Sequence, residues 1–182
     1  ALTDADYNTA LGTFSLSADT LGSKSTALGY GTLDTQNFTT ATDTFNTAVG
    51  FNAGTAVTTG VRNTLIGATA GDEIAGGQRN TAVGYGALHT ETEGDRNTAV
   101  GVFALSTQNT TGGGNIYNTA VGYGAGNTMT TGIENTLIGG LAGDALTDAD
   151  YNVAVGKQAL TADVMGSRST AIGFGALQAQ LF

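Results

Sequence analysis

The hydrophobic and polar positions of this chain recur in a fixed order, and the clearest copy is Asn80–Leu88, with the sequence NTAVGYGAL. Ten units begin with an Asn or Ser of this kind, at residues 8, 25, 46, 63, 80, 97, 118, 135, 152 and 169. Most of them are 17-residue units, such as 80–96, whereas the second (25–45) and the sixth (97–117) are 21-residue units. A period of this size predicts a solenoid in which each unit forms one coil.

We number each unit from its Asn or Ser as position 1. Position 4 is always Leu, Val or Ile, position 5 is always Gly, and position 8 is always small. Positions 1–4 predict a short strand, and positions 8–12 predict a second strand or extended arm. The extra residues around 38–42 and 110–114 predict outward loops. We therefore expect an all-β fold, a β-solenoid or β-roll of about ten coils, with residues 1–182 forming one repetitive segment.

Positions 9 and 12 exchange an apolar residue between them. Six coils pair Leu at position 9 with a polar residue at position 12: Leu16 with Asp19, Leu33 with Gln36, Leu88 with Glu91, Leu105 with Gln108, Leu160 with Asp163, and Leu177 with Gln180. Four coils pair Gly at position 9 with an apolar residue at position 12: Gly54 with Val57, Gly71 with Ile74, Gly126 with Met129, and Gly143 with Leu146. Because interiors are densely packed, this exchange predicts that the two positions share one core site. The two coil types alternate in pairs, which gives a superperiod of four coils that begins at residue 25 and again at residue 97.

The predicted core is thin. Position 4 and either position 9 or position 12 supply two sizeable apolar side chains per coil, each worth about 1.5–3 kcal/mol when buried. Ordering the backbone costs roughly 1–2 kcal/mol per residue. We expect the Ala at position 3 and the small residue at position 8 to let several chains approach closely. The sequence therefore predicts self-association, most simply a parallel homotrimer.

Composition and charge exclude several classes of function. The chain has a formal net charge of −9, which disfavours nucleic acid as a partner, and no apolar run reaches the roughly 20 residues needed for membrane insertion. It has no Cys and a single His, His89. The Gly-rich run Gly112–Gly114 lacks the Lys and Ser or Thr of a phosphate loop. We therefore expect that this chain is not an enzyme and that it has no catalytic residues and no cofactor.

The residue immediately before each Asn or Ser is usually a long cationic or aromatic one. It is position 17 of a 17-residue unit and the last residue of a longer one, and we call it position 17 in both. We expect these residues to line up as one ridge, which we call the position-17 ridge: Tyr7, Lys24, Phe45, Arg62, Arg79, Arg96, Tyr117, Tyr151 and Arg168. Such a ridge suits an anionic glycan, or cation–π contacts along itself. The alternative is that the stems cover the turn while the charged heads stay in water. The Arg residues of three consecutive coils repel one another. We expect the carboxylates of Asp72, Glu73 and Asp95 to offset that repulsion.

Other repeated residues have structural and functional interpretations. Aromatic residues at positions 6 and 7 either stack on sugar rings or pack from coil to coil. The Asn at position 1 predicts an internal amide ladder. The Thr at position 2 is typical of strands and also of regular arrays that order water as ice does. The acidic pairs Asp4/Asp6 and Asp148/Asp150 offer oxygen ligands of the kind that Ca²⁺ prefers. The simpler interpretation is that they lie in solvated turns, and we expect no metal site.

The segments Ser169–Gly173, STAIG, and Asn80–Gly84, NTAVG, resemble the S-V-A-I-G repeat of YadA-like trimeric adhesin heads. The longer NTAVGYGAL form is similar to repeats in the tail fibres of bacteriophages and marine viruses. The resemblance covers about residues 7–180. It implies a parallel trimeric β-roll, although the coils of the adhesin heads are shorter than those of this chain.

From this resemblance we expect a structural or adhesive fibre segment, at the extracellular or virion surface, that supports attachment to a host-surface glycan or receptor. The alternative is a monomeric or fibrillar β-solenoid that binds polysaccharide or ice through a flat ladder face. The sequence ALTDADYN occurs at residues 1–8 and again at 145–152, so we expect the array to continue beyond this chain.

Overall fold

A computed structural model describes residues 5–179, and within this range the chain contains strands and turns but no helix. The strands are short because a Gly follows each of the longer ones. They are β1 (Thr9–Leu11), β2 (Gly22–Ser23), β3 (Thr26–Leu28), β4 (Thr42–Asp43), β5 (Thr47–Val49), β6 (Thr64–Ile66), β7 (Thr81–Val83), β8 (Gly94–Asp95), β9 (Thr98–Val100), β10 (Gly114–Asn115), β11 (Thr119–Val121), β12 (Thr136–Ile138), β13 (Val153–Val155) and β14 (Thr170–Ile172).

Ten three-residue strands form one parallel sheet in the order β1-β3-β5-β6-β7-β9-β11-β12-β13-β14. Each strand covers positions 2–4 of its coil and pairs in register with the same positions of the next coil. Thr81, for example, lies opposite Thr64 on one side and Thr98 on the other. The prediction of a β-solenoid of about ten coils is therefore confirmed.

The interior is lined by positions 1, 3 and 8 together with positions 9 and 12. Ala82 at position 3 and Ala87 at position 8 are fully buried within their own chain, whereas Val83 at position 4 is only half-buried. The prediction that position 4 fills the core, and that the Ala positions face other chains, is wrong. Successive side chains of a strand point to opposite faces, so positions 1 and 3 point inward and positions 2 and 4 point outward.

The predicted exchange between positions 9 and 12 is confirmed, because the apolar residues of both positions belong to one buried cluster. Leu65, at position 3 of the fourth coil, shows how the space is shared. A Cβ placed on Gly54 or Gly71 would lie 2.6 Å or 2.7 Å from a Cδ atom of Leu65. A Leu fits at position 3 here because Gly stands at position 9 of its own coil and of the coil before.

Polar residues at position 12 are buried as well, which the exchange rule did not predict. Gln36 donates to the Asp19 carboxylate at 2.6 Å, and Gln108 donates to Glu91 at 2.9 Å. Glu91 Oε1 also accepts the backbone N–H of Gly94 at 2.8 Å. Each pair joins two adjacent coils that both have Leu at position 9. The buried carboxylates of Asp19 and Glu91 are therefore satisfied by hydrogen bonds rather than by cations. Gln180, the remaining polar residue predicted at this position, lies outside the described residues.

Gly at position 5 is required by both backbone conformation and space. At Gly84 φ is +138°, and an added Cβ would lie 2.5 Å from the carbonyl oxygen of Gly101 in the next coil. The corresponding distance from Gly101 to the Gly122 oxygen is 2.4 Å. Real Cβ atoms do not approach backbone oxygens this closely, so a Cβ here would push neighbouring coils apart.

Positions 6–12 of each coil form a series of turns, and the strand predicted at positions 8–12 is absent from the described residues. Positions 7 and 9 adopt left-handed backbone conformations in every coil, as at Thr69 and Leu88, both with φ of +53°. A left-handed residue interrupts an extended strand. Hydrogen bonds between coils persist nevertheless: the Leu88 N–H donates to Ala104 at 3.0 Å, and the Leu105 N–H donates to Ala125 at 3.0 Å.

The two four-residue insertions leave the coil and return to it through short strand pairs. β4 pairs with β2, and β10 pairs with β8. Residues 39–41 and 111–113 are exposed, in agreement with the predicted outward loops. Phe38 and Ile116 are buried and tether the two loops to the body of the solenoid.

Candidate functional site

The outer face of the ten-stranded sheet carries two ladders, formed by positions 2 and 4. Position 2 is Thr in nine coils and Val153 in the other. The Leu, Val or Ile at position 4 is half-buried or exposed in every coil, and its exposure reaches 69% at Ile172. The strands are in register, so one aliphatic side chain follows the next at the strand spacing of about 4.8 Å. A continuous apolar stripe of this kind indicates an interaction surface.

The position-17 ridge forms a third ladder along the solenoid. Backbone hydrogen bonds hold the column in register: the Arg79 N–H donates to the Val61 oxygen at 3.0 Å, and the Arg96 N–H donates to the Gln78 oxygen at 3.0 Å. Glu134 also lies at position 17, although it was not among the predicted ridge residues. The predicted residues do occupy one column: Tyr7, Lys24, Phe45, Arg62, Arg79, Arg96, Tyr117, Tyr151 and Arg168.

Three cation–π contacts join neighbouring residues of the ridge. Arg96 lies 5.5 Å from the centroid of the Tyr117 ring, and Arg168 lies 5.0 Å from that of Tyr151. Lys24 lies 5.3 Å from the Phe45 ring and also pairs with Asp43 at 2.5 Å. Contacts of this type are worth about 0.5–1 kcal/mol at exposed sites. The ridge therefore contributes to the stacking of the coils.

Asp72, Glu73 and Asp95, which were expected to offset the three Arg charges, form no direct ion pair with an Arg in the described residues. Asp72 forms an ion pair with His89, and Asp95 accepts the backbone N–H of Gln78 at 2.8 Å. Within residues 5–179 the side-chain ion pairs are Lys24 with Asp43 and His89 with Asp72. The Asp72 and Asp95 carboxylates are therefore engaged in contacts between coils.

The Asn at position 1 forms the predicted internal ladder, and its geometry is repeated from coil to coil. The amide of Asn80 donates to the Gly94 carbonyl oxygen at 2.8 Å, and its Oδ1 accepts the N–H of Asn97 at 2.9 Å. Asn63 makes the same contacts with Gly77 and Asn80, at 2.8 and 2.9 Å. Asn63 and Asn80 thus each tie the end of their own coil to the start of the next coil. This buried ladder is structural and is not available to a ligand.

The aromatic residues at positions 6 and 7 are exposed and stack partly from coil to coil. The rings of Phe14 and Tyr30 lie 5.6 Å apart edge to face, and those of Tyr30 and Phe51 lie 5.4 Å apart in a stacked arrangement. Tyr85 and Phe103 form a further pair at 5.2 Å. Coil-to-coil packing of these rings is thus confirmed, and their outer faces remain in contact with solvent.

Two equivalent carboxyl groups, Asp72 and Asp144, lie at position 10 of the fourth and eighth coils. Burial raises the pKa of Asp72, and the hydrogen bond and charge of His89 oppose part of that rise. Burial also raises the pKa of Asp144, and here no charged side chain opposes it. The Asp144 Oδ1 atom is buried and has no hydrogen-bond partner in the described part of the chain.

The described residues contain no group of three or more His, Asp or Glu side chains arranged to hold a metal ion. Asp148 and Asp150 bind within the solenoid instead: Asp150 accepts the N–H of Ile133 at 2.9 Å, and Asp148 accepts the Thr130 hydroxyl at 3.3 Å. Asp4 lies outside the described residues. Over residues 5–179 the surface has no concave pocket, and no helix long and apolar enough to cross a bilayer is found.

Comparison of the chain with family models, curated proteins and solved structures gives no match. On the exposure and alignment of its side chains, the chain has two candidate functional surfaces: the outer face of the sheet, with its aliphatic and Thr ladders, and the position-17 ridge.

The outward position of the position-4 ladder is the main feature that the sequence analysis missed, and the sequence does contain a signal for it. The buried positions 9 and 12 change together, because they share a limited volume. Position 3 changes with them: Leu replaces Ala at Leu65 and Leu137, in the two coils where position 9 is Gly both in that coil and in the coil before. Such covariation is typical of side chains that compete for one interior space, which places position 3 inside and the adjacent position 4 on the opposite face.

Proposed function

We propose that this chain is a structural and adhesive segment of a fibre, assembled as a parallel homotrimer, in a viral tail fibre or a cell-surface adhesin. The observation that carries the proposal is the continuous aliphatic ladder at position 4, which runs along the whole sheet on its outer face. Burial of such a stripe is the main driving force for chain association. Ten coils at about 4.8 Å per strand extend roughly 45 Å along the axis.

A parallel arrangement about one axis suits this ladder. Rotational symmetry brings identical rungs of each chain to the same level, so that Ile66 meets Ile66 and Ile138 meets Ile138 of the neighbouring chains. The flanking Thr side chains at position 2 are compatible with the edge of such a contact. The solenoid then supplies length and stiffness, while the loops at 39–41 and 111–113 and the position-17 ridge face outward for attachment at an extracellular or virion surface.

The oligomeric state tests the proposal. Light scattering of the purified chain is expected to give three times the chain mass of 18.1 kDa. The double variant Ile66→Glu and Ile138→Glu places a charge in the apolar ladder of each four-coil copy, and we expect it to be monomeric. Thr59→Glu and Thr131→Glu add the same charge at exposed position 14, away from the ladder, and should leave the trimer intact. A monomeric wild-type chain would contradict the proposal.

A second candidate function uses the same face in a monomer. The Thr ladder at position 2 and the aliphatic ladder at position 4 form a regular two-column array on a parallel sheet, which favours ordered water or a flat polysaccharide surface. The trimer would cover this array, so the two functions exclude each other. Thermal hysteresis of a monomeric wild-type chain, lost in Ile66→Glu, would support ice binding and contradict the trimeric fibre.

A further inference from the structure

Three consecutive coils place an Arg at position 17, at Arg62, Arg79 and Arg96. We call these three residues the Arg ladder. They precede β6, β7 and β9, which are adjacent in the sheet and paired in register. Their Cα atoms are therefore separated by about one strand spacing of 4.8 Å per step. Arg62 and Arg79 are exposed and Arg96 is half-buried, so the ladder presents three cations in a line along the solenoid axis.

The charges of the Arg ladder are not neutralised within the described residues. The ion pairs there involve Lys24 and His89. Arg79 makes one long side-chain contact, in which Nη1 donates to the Gln78 amide oxygen at 3.4 Å. In a chain with a net charge of −9, three aligned guanidinium groups without a carboxylate partner repel one another. An external anion would remove this repulsion.

The backbone at position 17 gives no reason for Arg to be there. The φ angles of Arg62, Arg79 and Arg96 are +62°, +58° and +63°. In this left-handed region Gly or Asn costs less than a long side chain by roughly 1 kcal/mol or more per residue. The chain uses Gly at several other left-handed positions, such as Gly86 with φ of +60°. Backbone conformation alone would therefore favour a smaller residue at each rung of the Arg ladder.

Aromatic side chains stand at both ends of the Arg ladder. Phe45 precedes Arg62 at position 17, and Tyr117 follows Arg96. Both rings are about half exposed. Sugars offer apolar C–H faces to aromatic rings and, when sulfated or carboxylated, offer anions to guanidinium groups, which bind them through two parallel hydrogen bonds.

We propose that the Arg ladder, with Phe45 and Tyr117 at its ends, binds a linear sulfated or carboxylated polysaccharide that lies along the solenoid axis. This inference deepens the proposed adhesive role, since it rests on the ridge staying outside the contacts between chains. A polysaccharide fits better than a nucleic acid because the chain as a whole is acidic and the ladder contributes only three cations to a polyphosphate.

Binding to defined polymers tests the inference on the full chain. Dextran sulfate supplies sulfate groups, alginate supplies carboxylates, and neutral dextran supplies neither. We expect binding to dextran sulfate, alginate or both, and none to neutral dextran. The triple variant Arg62→Gln, Arg79→Gln, Arg96→Gln should weaken binding roughly tenfold or more, as loss of charge-assisted hydrogen bonds does. The slope of log K against log salt should fall by about two.

The chain supplies a matched control, because its six Lys and Arg residues divide into the Arg ladder and three others. The double variant Lys157→Gln, Arg168→Gln has the same net charge as the double ladder variant Arg62→Gln, Arg79→Gln, and we expect it to bind nearly as the wild type does. Lys24 is left unchanged in this control because it contacts the Phe45 ring. Equal losses in the two variants would overturn the ladder as the site. So would wild-type binding to neutral dextran, or displacement of the polysaccharide by single-stranded DNA at equal charge concentration.

Folding and assembly are followed in the same samples, by circular dichroism and light scattering. The single variant Arg79→Gln removes only the central rung and should weaken binding by a smaller factor, which keeps the test valid if the triple variant unfolds. A trimer that binds neither anionic polymer would contradict polysaccharide binding by the Arg ladder but not the trimeric fibre. A monomer that binds through the ladder would support this inference while contradicting the trimeric fibre.

Discussion

Residues 25–96 and 97–168 are two copies of the same four-coil unit, and they differ far more outside than inside. Their buried side chains correspond closely from one copy to the other. The equivalent buried pairs are Leu33 and Leu105, Val57 and Met129, Leu65 and Leu137, Ile74 and Leu146, and Leu88 and Leu160. The interior of each coil accepts one set of volumes, so repetition in the core follows from packing.

Outward positions away from the sheet have diverged between the two copies, whereas positions 2 and 4 on the sheet have not. At position 17, Arg62 and Arg79 in the first copy correspond to Glu134 and Tyr151 in the second. At position 10, the Asp72 pair with His89 corresponds to Asp144 and Thr161. The coil therefore specifies its core and its sheet face and leaves the rest of its surface free to vary. Recognition is therefore expected at particular rungs, such as the Arg ladder of the first copy, rather than along the whole fibre.

The largest effect is expected from Gly at position 5, equally in both copies. Gly84→Ala and Gly156→Ala each place a Cβ 2.5 Å or 2.4 Å from the carbonyl oxygen of the next coil, with φ of +138° or +133°. We expect each to lower the free energy of unfolding by at least about 3 kcal/mol, from backbone strain together with overpacking. Urea unfolding followed by circular dichroism, at fixed chain concentration, measures the loss.

Gly173→Ala is the matched control for these two variants. Its φ of +124° is similar, but an added Cβ would meet no atom within 4 Å. Only the backbone cost, on the order of 1–3 kcal/mol, is then expected. Equal losses at Gly84, Gly156 and Gly173 would mean that conformation, and not the close approach of coils, requires Gly at position 5.

The Asn ladder should give the next largest effect, with one informative exception. Asn80→Ala removes two buried hydrogen bonds and leaves their partners unsatisfied, so we expect a loss of roughly 2–3 kcal/mol. Asn152→Ala should cost the same. Asn97 begins the longer, sixth coil, in the second copy, and its amide nitrogen has no hydrogen-bond partner among the described residues. Ser25 stands at the equivalent position of the first copy.

Asn97→Ser should therefore cost less, within about 1 kcal/mol, because the loss of the bond that Asn97 Oδ1 accepts from the Asn118 N–H at 3.2 Å is partly offset by removal of an unsatisfied buried donor. Thermal unfolding of Asn80→Ala, Asn152→Ala and Asn97→Ser under one condition measures the difference. A loss at Asn97 as large as that at Asn80 would show that the insertion does not change the role of position 1.

The smallest effect concerns Asp144, where the two copies differ in charge pairing. Burial raises the pKa of Asp144 in the folded state, so its ionised form opposes folding above that pKa. The penalty disappears as pH falls through the raised pKa towards the ordinary Asp range near pH 4. Asp144→Asn should therefore stabilise the chain at pH 7, by at most about 1 kcal/mol, and the gain should vanish near pH 4.

Asp72→Asn is the comparison for this variant, and it should gain less at pH 7 because it also breaks the ion pair with His89. Urea unfolding at the two pH values separates the effects. A gain for Asp144→Asn that persists unchanged at acidic pH would show that its charge is not the cause.

Much of the fold could be predicted from the sequence because the repeat aligns equivalent residues. The exchange between positions 9 and 12 located the core, and the Asn column located the internal ladder. The directions of positions 3 and 4 were missed, because Ala and Val are both apolar and only Leu65 and Leu137 mark position 3 as internal. The left-handed residues at positions 7, 9 and 17 were also missed, because Leu, Thr and Arg carry no sequence signal for that conformation. The Asp19 and Gln36 pair is polar, and its burial depends on a partner in the adjacent coil.

The assignment of position 3 to the interior and position 4 to the outer face is most directly tested by thiol accessibility at two adjacent residues. The chain has no Cys, so Leu65→Cys and Ile66→Cys each introduce a single thiol. Leu65 is 0% exposed and Ile66 is 38% exposed. We predict that Cys at 65 resists a thiol reagent in the folded chain, while Cys at 66 reacts with it or forms a disulfide between chains on oxidation. Rapid labelling or interchain linkage of Cys at 65, with protection of Cys at 66, would show that position 3 faces outward and position 4 inward.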